Sequence, residues 1–385
     1  MVLNPQDIKD IKDIKVFHIF RNVSTMNTQQ AQDFGKLLSF DLAGRDSELS
    51  AFQARCEQPT QTSPLVICGP AGIGKSALVR AFEVFARELG WRVVAETAVR
   101  GLVERLRGTF LPALHESLEG DSSSVAQVAF SDWSLVEQVH HLSSVLAERG
   151  AGLLITLDSV ARGAVAHMRE LVDAVERVQR QGGPVQLVLA GRTAELREVL
   201  TDSGMGYLAE AERFELDALT RAQTEQVLRR ELALCPALSR CTDAVLSDEV
   251  VARACAATHG YPSMVRLVAE CIRQVATHSL TERELDAGVA TAQKRLGSAV
   301  LDPLLAKLSA GDCAFLQAMA QDDGPSQMSA IAARLGKNPQ YVGVYRNRLV
   351  EAQIIRSASY GKVTFVIPHL REHLRSVASG AEDRF

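Results

Sequence analysis

The chain has 385 residues, more than one compact core accommodates, so two or three domains are expected. Hydrophobic residues make up 46%, charged residues 23% and aromatics 5%, and the formal net charge is −4; this excludes a globally basic nucleic-acid coat and leaves room for a local basic patch. Seven scattered cysteines form no C-x-x-C pair or Cys/His cluster, which argues for reduced thiols and against zinc, and no apolar run reaches the ~20 residues that a membrane span needs.

The opening segment repeats Asp-Ile-Lys three times from Asp7 to Lys15. Isoleucine at every third position suits a short amphipathic helix; an extension preceding a start at Met26 suits the text equally. The segment lacks a basic start, an uninterrupted apolar core and a small-residue cleavage site, so the expected compartment is the cytoplasm and no membrane partner is expected. Organised text begins at Phe40. Pro64–Gly69 is a short apolar run ended by glycine, as in a buried parallel strand. Ser76–Gly90 has helical spacing and a glycine stop, Trp91–Glu96 reads as a second strand, and a helical stretch includes Val136–Arg149. A strand at Leu153–Asp158, a helix at Ala166–Arg180, a Gly182–Pro184 break and a strand at Val185–Gly191 follow. Strands alternating with helices predict an α/β domain with a parallel sheet.

After Phe214 the strands stop. Thr220 and Gln223 have capping-box spacing, which starts a helix, and helices dominate to about residue 310. The end of the chain reads helix, helix–turn–helix, then two short strands around a Tyr360–Gly361 turn, the order of a winged helix. The expected division is an extension at 1–39, an α/β nucleotide-binding domain at 40–213, a helical lid at 214–308, a winged helix at 309–378 and a tail at 379–385.

Gly69, Pro70, Ala71, Gly72, Ile73, Gly74, Lys75 and Ser76 fit G-x-x-x-x-G-K-[ST] and lie between a strand and a helix, with Ala77 continuing into the first turn. Glycines at such spacing turn backbone N–H groups inward around phosphate oxygens, and the helix N-terminus adds partial positive charge. Lys75 is assigned to the β- and γ-phosphates and the Ser76 hydroxyl to Mg²⁺. Asp158, ending an apolar strand, is assigned to the same Mg²⁺ through water. The next position is Ser159, which cannot serve as a general base at pH 7. Turnover is therefore expected to be slow, or to use another carboxylate such as Glu96 or Asp158 itself.

These residues resemble the AAA+/STAND superfamily, most closely its initiator-like clade of origin-recognition and archaeal ATPases. The resemblance implies an ASCE-type P-loop core, a helical lid, a winged helix and ATP/ADP with Mg²⁺ as cofactors. Phe40–Leu49 is similar to the box preceding the P-loop in that clade, which implies a nucleotide-facing or packing role for Gly44, Arg45 and Glu48. Arg192 occupies the sensor-1 position, where an arginine leans towards STAND proteins and implies a γ-phosphate contact. His259–Leu267 resembles the G-x-P turn of the lid, implying that Pro262 packs against adenine and that Arg266 is a sensor-2 residue. Arg177 and Arg180 are candidates for a trans-acting arginine.

Met328–Ser357 resembles the winged helices of archaeal ATPases, although Ala352 and Gln353 stand where a glycine is expected. Gln340 and Tyr341 lie beside the core stripe of its second helix, and Lys337, Arg346, Arg348 and the hairpin's Lys362 are candidate phosphate contacts for duplex DNA. In STAND proteins the corresponding domain packs on the nucleotide domain and a histidine after the wing contacts ADP; His369 falls near that place. The sequence thus supports two functions. One is an ATP-controlled DNA-binding protein that assembles as a homo-oligomer, as in replication, transposition or the upkeep of a mobile element. The other is a signalling or defence switch that recruits a protein effector without touching DNA. A regulatory subunit of a larger nuclease or defence assembly is a more remote third.

Overall fold

The computed structural model describes residues 42, 44–58, 63–119, 130–160, 163–233, 248–276 and 281–382. The Asp-Ile-Lys repeat, Met26, Phe40, Cys235 and Cys241 lie outside these residues.

Five parallel strands, β1 (Leu65–Cys68), β2 (Arg92–Thr97), β3 (Leu153–Val160), β4 (Val185–Gly191) and β5 (Glu212–Glu215), form one sheet in the order β2-β3-β4-β1-β5. Every residue of β1 and β4 is buried, as expected of apolar runs with both faces covered. Helix α1 (Asp46–Glu57) is anchored on α2 (Lys75–Glu88) by Phe52, which stacks on Phe82 with ring centroids 4.1 Å apart. Helix α2 packs on β2, β3 and β4, and a buried hydrogen bond from Thr156 Oγ1 to Glu83 Oε1, 2.6 Å, ties it to the middle of β3. After β2 come α3 (Leu102–Arg105), a π-helical turn and α4 (Leu111–Glu119).

Helix α5 (Leu135–Glu148) opens with a Ser134–Glu137 capping box, and α6 (Val165–Arg180) packs beside it. Helix α7 (Thr193–Leu200) and the short α8 (Gly206–Ala209) lead to β5. The sequence reading places no strand of its own at β5. Its Glu-Arg-Phe-Glu text is polar because the strand lies at the sheet edge with three of four residues exposed.

Helices α9 (Arg221–Ala233), α10 (Asp248–Thr258), α11 (Pro262–Val275) and α12 (Glu282–Leu296) follow the sheet. The anticipated capping pair is present: Thr220 N donates to Gln223 Oε1 at 2.8 Å and Gln223 N to Thr220 Oγ1 at 3.3 Å. A π-helical turn and α13 (Asp302–Leu305) connect to the last unit. That unit contains α14 (Ala310–Ala320), β6 (Ser326–Gln327), α15 (Met328–Leu335), α16 (Pro339–Glu351), β7 (Ile355–Ser359), β8 (Lys362–Phe365) and α17 (Leu370–Glu382). Its three strands pair antiparallel in the order β6-β8-β7, with Tyr360 and Gly361 at the hairpin tip. Asn338 caps α16 by accepting from Tyr341 N at 2.8 Å, with Pro339 in its first turn. Among the described residues, no helix is long and apolar enough to cross a membrane.

Candidate nucleotide-binding site

The loop between β1 and α2 is built on glycines for steric reasons. Gly72 and Gly74 have φ of 78° and 101°, in the left-handed region that side chains rarely adopt. A Cβ on Gly69 would lie 2.9 Å from Leu216 O, and one on Gly72 would lie 2.6 Å from Ser263 Oγ. Gly74 is the N-cap of α2 and offers no side-chain acceptor, so the first N–H groups of this 14-residue helix receive no side-chain cap. Such a terminus suits an anion.

Lys75 sits in the first turn, and its ammonium donates to Gly69 O at 2.9 Å and Pro70 O at 2.8 Å. Burial lowers its pKa to about 8, with Arg192 adding to the fall and Asp158 opposing it. Lys75, Asp158 and Arg192 are thus within electrostatic reach of one another. Asp158 stands where the β3–β4 register shifts between Leu157 and Val160, and its Oδ1 accepts from Ser159 N at 2.7 Å. Ser159 itself has φ of 58°, a left-handed conformation at an exposed position.

Glu96 is tied up. It accepts from Arg105 at 2.8 and 3.3 Å and from Thr97 N at 3.1 Å. Burial pulls its carboxyl up, but these hydrogen bonds outweigh it and hold it below the usual range, which weakens it as a base.

Arg192, half-buried at the N-cap of α7, pairs with Glu195 one turn on. Arg45 is buried and donates to Ile73 O at 3.3 Å and Asp217 O at 2.7 Å, with Glu48 at 3.8 Å. It ties the loop after β1 to the link from β5 to the helices. Gly44 lies against Gln223, whose side-chain nitrogen would be 2.4 Å from a Cβ there.

The start of α11 meets the loop directly. Ser263 N donates to Gly72 O at 3.3 Å, and Pro262 lies 3.8 Å from where a Gly74 Cβ would be. Arg266, one turn further, is exposed, with no hydrogen bond or ion pair among the described residues. On α6, Arg177 is exposed and Arg180 pairs with Glu176 at 2.6 Å.

The last unit reaches the same region. Thr193 Oγ1 donates to Gln353 Oε1 at 2.8 Å, Arg197 pairs with Glu351 at 3.3 Å, and the Tyr261 hydroxyl donates to Val366 O at 3.2 Å. His369 is engaged elsewhere: its Nε2 lies 2.6 Å from Ala257 O and its Nδ1 3.1 Å from Gln293 Nε2, with its ring edge-on to His259.

Elsewhere on this unit, Gln340 and Tyr341 are exposed, Lys337 lies over the Tyr341 ring at 5.4 Å, and Val344 is exposed. Arg346 donates to Ser357 Oγ at 2.7 Å, and Lys362 is half-buried on β8. Arg348 pairs with Asp312 at 2.7 Å, a buried carboxylate that also completes the cap of α14.

Residues 41–189 match a family model described as an AAA ATPase domain. The chain contains an AAA+ P-loop ATPase domain. Residues 298–374 match a second model, described as a domain of unknown function (DUF8462). The chain is similar to the Walker-type ATPase PABY2304 of Pyrococcus abyssi, at 13% identity and a TM-score of 0.64, over 85% of this chain and 95% of that one. It is also similar to the ORC2 protein of Aeropyrum pernix in its ADPNP–ADP complexes, at 14% identity and a TM-score of 0.53, over 88% and 95%. At these identities the likeness is one of fold, a parallel sheet followed by helices. No curated protein matches the sequence.

The residues present fit a nucleoside polyphosphate. The glycine cradle and the side-chain-uncapped start of α2 suit phosphate oxygens, and Lys75 supplies the charge. Ser76 and Asp158 would hold Mg²⁺, which supplies charge neutralisation at the phosphates. Of the protein's own groups, Lys75 would exchange the Gly69 and Pro70 carbonyls for phosphate. Sequence reasoning missed Thr193, Gln353, Tyr261 and the Arg348–Asp312 pair. It also missed Glu195, which did carry a local signal, its i,i+3 spacing from Arg192.

Proposed function

We propose that this AAA+ protein binds ATP and Mg²⁺ and uses the nucleotide state to control duplex DNA binding and self-assembly as a homo-oligomer, with slow hydrolysis resetting it. In this reading residues 309–378 act as a winged helix. The observation that carries it is the contrast between the two ends of α16. Its N-terminal half, with Gln340, Tyr341 and Val344, is open to solvent, while the residues at its C-terminal end contact the helix that follows Arg192. One helix thereby presents an exposed face and touches the nucleotide domain. Lys337, Arg346 and Lys362 supply phosphate contacts beside that face, and Arg348 adds one where its pairing with Asp312 leaves donors spare. Slow turnover follows from Ser159 and from the engagement of Glu96 with Arg105.

The contacts from Thr193, Arg197 and Tyr261 to the last unit favour a second reading, a STAND-type switch in which that unit is held on the nucleotide domain and is released to recruit a protein effector. Fluorescence anisotropy of a labelled duplex, titrated in ATP and in ADP at several salt concentrations, separates the two. Tight binding in ATP with a steep negative salt slope is the expected result. Absence of binding in both nucleotides would retire the DNA reading in favour of the switch.

A further inference from the structure

Helix α16 turns an apolar centre to solvent. Its two buried residues are Val342 and Leu349. At about 100° per residue, Val344 lies about 200° from the first and about 140° from the second, so it stands opposite the anchored side. A position there ordinarily carries a polar residue, yet Val344 is 56% exposed. It does not stand alone. Of the large apolar side chains exposed among the described residues, Tyr341 shares this face and Tyr360 tips the adjoining hairpin. Apolar residues gathered in one place mark a surface that a partner covers.

Gly343, beside Val344, has ordinary helical backbone, and a Cβ there would meet nothing within 4 Å outside its own stretch of helix. A glycine inside a helix lowers its stability, and neither backbone angle nor packing within this chain calls for one here. What it does provide is room for another molecule to approach the backbone. The surrounding charge says which kind. From Met328 to Val350 the sequence has no aspartate or glutamate, in a chain of net charge −4, while Lys337, Arg346 and Arg348 lie on α16 or just before it. The first acid after them, Glu351, is paired with Arg197 at 3.3 Å. An apolar centre with a cationic surround fits a duplex, whose phosphates flank base edges that include one apolar group, the C5 methyl of thymine.

We infer that Val344 is a specificity-determining residue that reads the C5 methyl of thymine in the major groove, with Gly343 letting the α16 backbone come close enough for that contact. This rests on the DNA reading given above. A valine side chain offers two methyl groups and no hydrogen-bonding atom, so it separates thymine from cytosine by burying an apolar group rather than by pairing a polar one. Gln340, one turn earlier and exposed, carries an amide suited to adenine on the same face. Tyr341 walls one flank, held by the Tyr345 hydroxyl, which donates to its own at 3.1 Å.

The test begins with selection of binding sites from a random duplex pool by the full chain with Mg²⁺ and a non-hydrolysable ATP analogue. The selected duplex is resynthesised with each thymine in turn replaced by uracil, which lacks only the methyl group, and affinities are read by fluorescence anisotropy. For wild type, replacement at one or two positions is expected to weaken binding about threefold to fourfold, the worth of one buried methyl. Val344→Ala should lose most of that difference, with the wild-type slope against salt and an unchanged thermal melt. Gly343→Ala should melt no lower than wild type yet bind the selected duplex about tenfold more weakly, because a methyl forced into a close contact costs more than the helix gains. The assignment is overturned if uracil is tolerated at every position, if Val344→Ala keeps the full thymine preference, or if Gly343→Ala binds as wild type does. Failure of wild type to bind any duplex, as for a surface that takes an acidic protein segment instead, would sink the DNA reading itself.

Discussion

The hydroxyl of Thr193 donates a 2.8 Å hydrogen bond to Oε1 of Gln353, joining the residue after Arg192 to the residue two beyond α16. Gln353 holds φ of 55°, so a left-handed turn aims its side chain across the boundary. In the proposed function, a movement of Arg192 would reach, within one residue, the segment that follows α16. Thr193→Val should destabilise the protein by only about 0.5–1.5 kcal/mol, the net worth of one such bond. It should also shrink the difference in duplex affinity between ATP and ADP. Anisotropy titrations of the variant in both nucleotides measure this, and an unchanged difference would show that coupling runs elsewhere.

Lys75 makes nucleotide affinity depend on pH. With its pKa lowered to about 8 by burial, the free protein has lost half of this charge by that pH and loses the rest above it. Phosphate favours the charged form, so affinity should fall as pH rises through 8, by at most tenfold per pH unit. Stability of the apo protein should move the other way. Between the folded value and the ordinary 10.5 the unfolded chain holds the proton and the folded chain does not, so this group makes unfolding harder as pH rises across that window. Titrations at pH 7, 8 and 9 check the first point, and Lys75→Ala should remove both trends.

The central strands and the phosphate loop were legible because their signals are local. Buried runs at β1 and β4 are unbroken apolar text, and the loop's glycines stand at fixed spacing. The edge strand β5 was not, since an exposed strand carries charged residues as a loop does. Long-range pairs were also hidden. Asp312 and Arg348 are 36 positions apart, and no periodicity links them before α14 and α16 pack. Arg45 was flagged by its motif, but only the fold shows that it spans the carbonyls of Ile73 and Asp217.

Ser159 is held at φ of 58°, where a Cβ is strained and glycine is not. Its backbone N–H serves Asp158, and that bond does not need the serine side chain. Ser159→Gly should therefore stabilise the protein by up to about 1–2 kcal/mol, as read from denaturant unfolding at constant slope. Multiple-turnover ATP hydrolysis should change less than about twofold, because a serine hydroxyl supplies no base at pH 7. A large fall in turnover would mean that this hydroxyl positions the attacking water.

Arg348 separates stability from DNA contact on α16. Its partner Asp312 is buried, and one oxygen of that carboxylate has no hydrogen-bond partner. Removing the guanidinium leaves a buried charge with less compensation, so Arg348→Ala should cost about 1–3 kcal/mol and lower the melting temperature. Lys337→Ala, at an exposed position, should leave stability within about 0.5 kcal/mol. The proposed DNA interface reverses the ranking. Lys337→Ala should weaken duplex binding across sequences and flatten the slope of log affinity against log salt by about 0.9, one phosphate contact. Arg348→Ala, compared below its melting transition, should change that slope less, since its charge is already drawn towards Asp312. A slope unaltered by Lys337→Ala, Arg346→Ala and Lys362→Ala together would mean that this face does not meet the phosphate backbone.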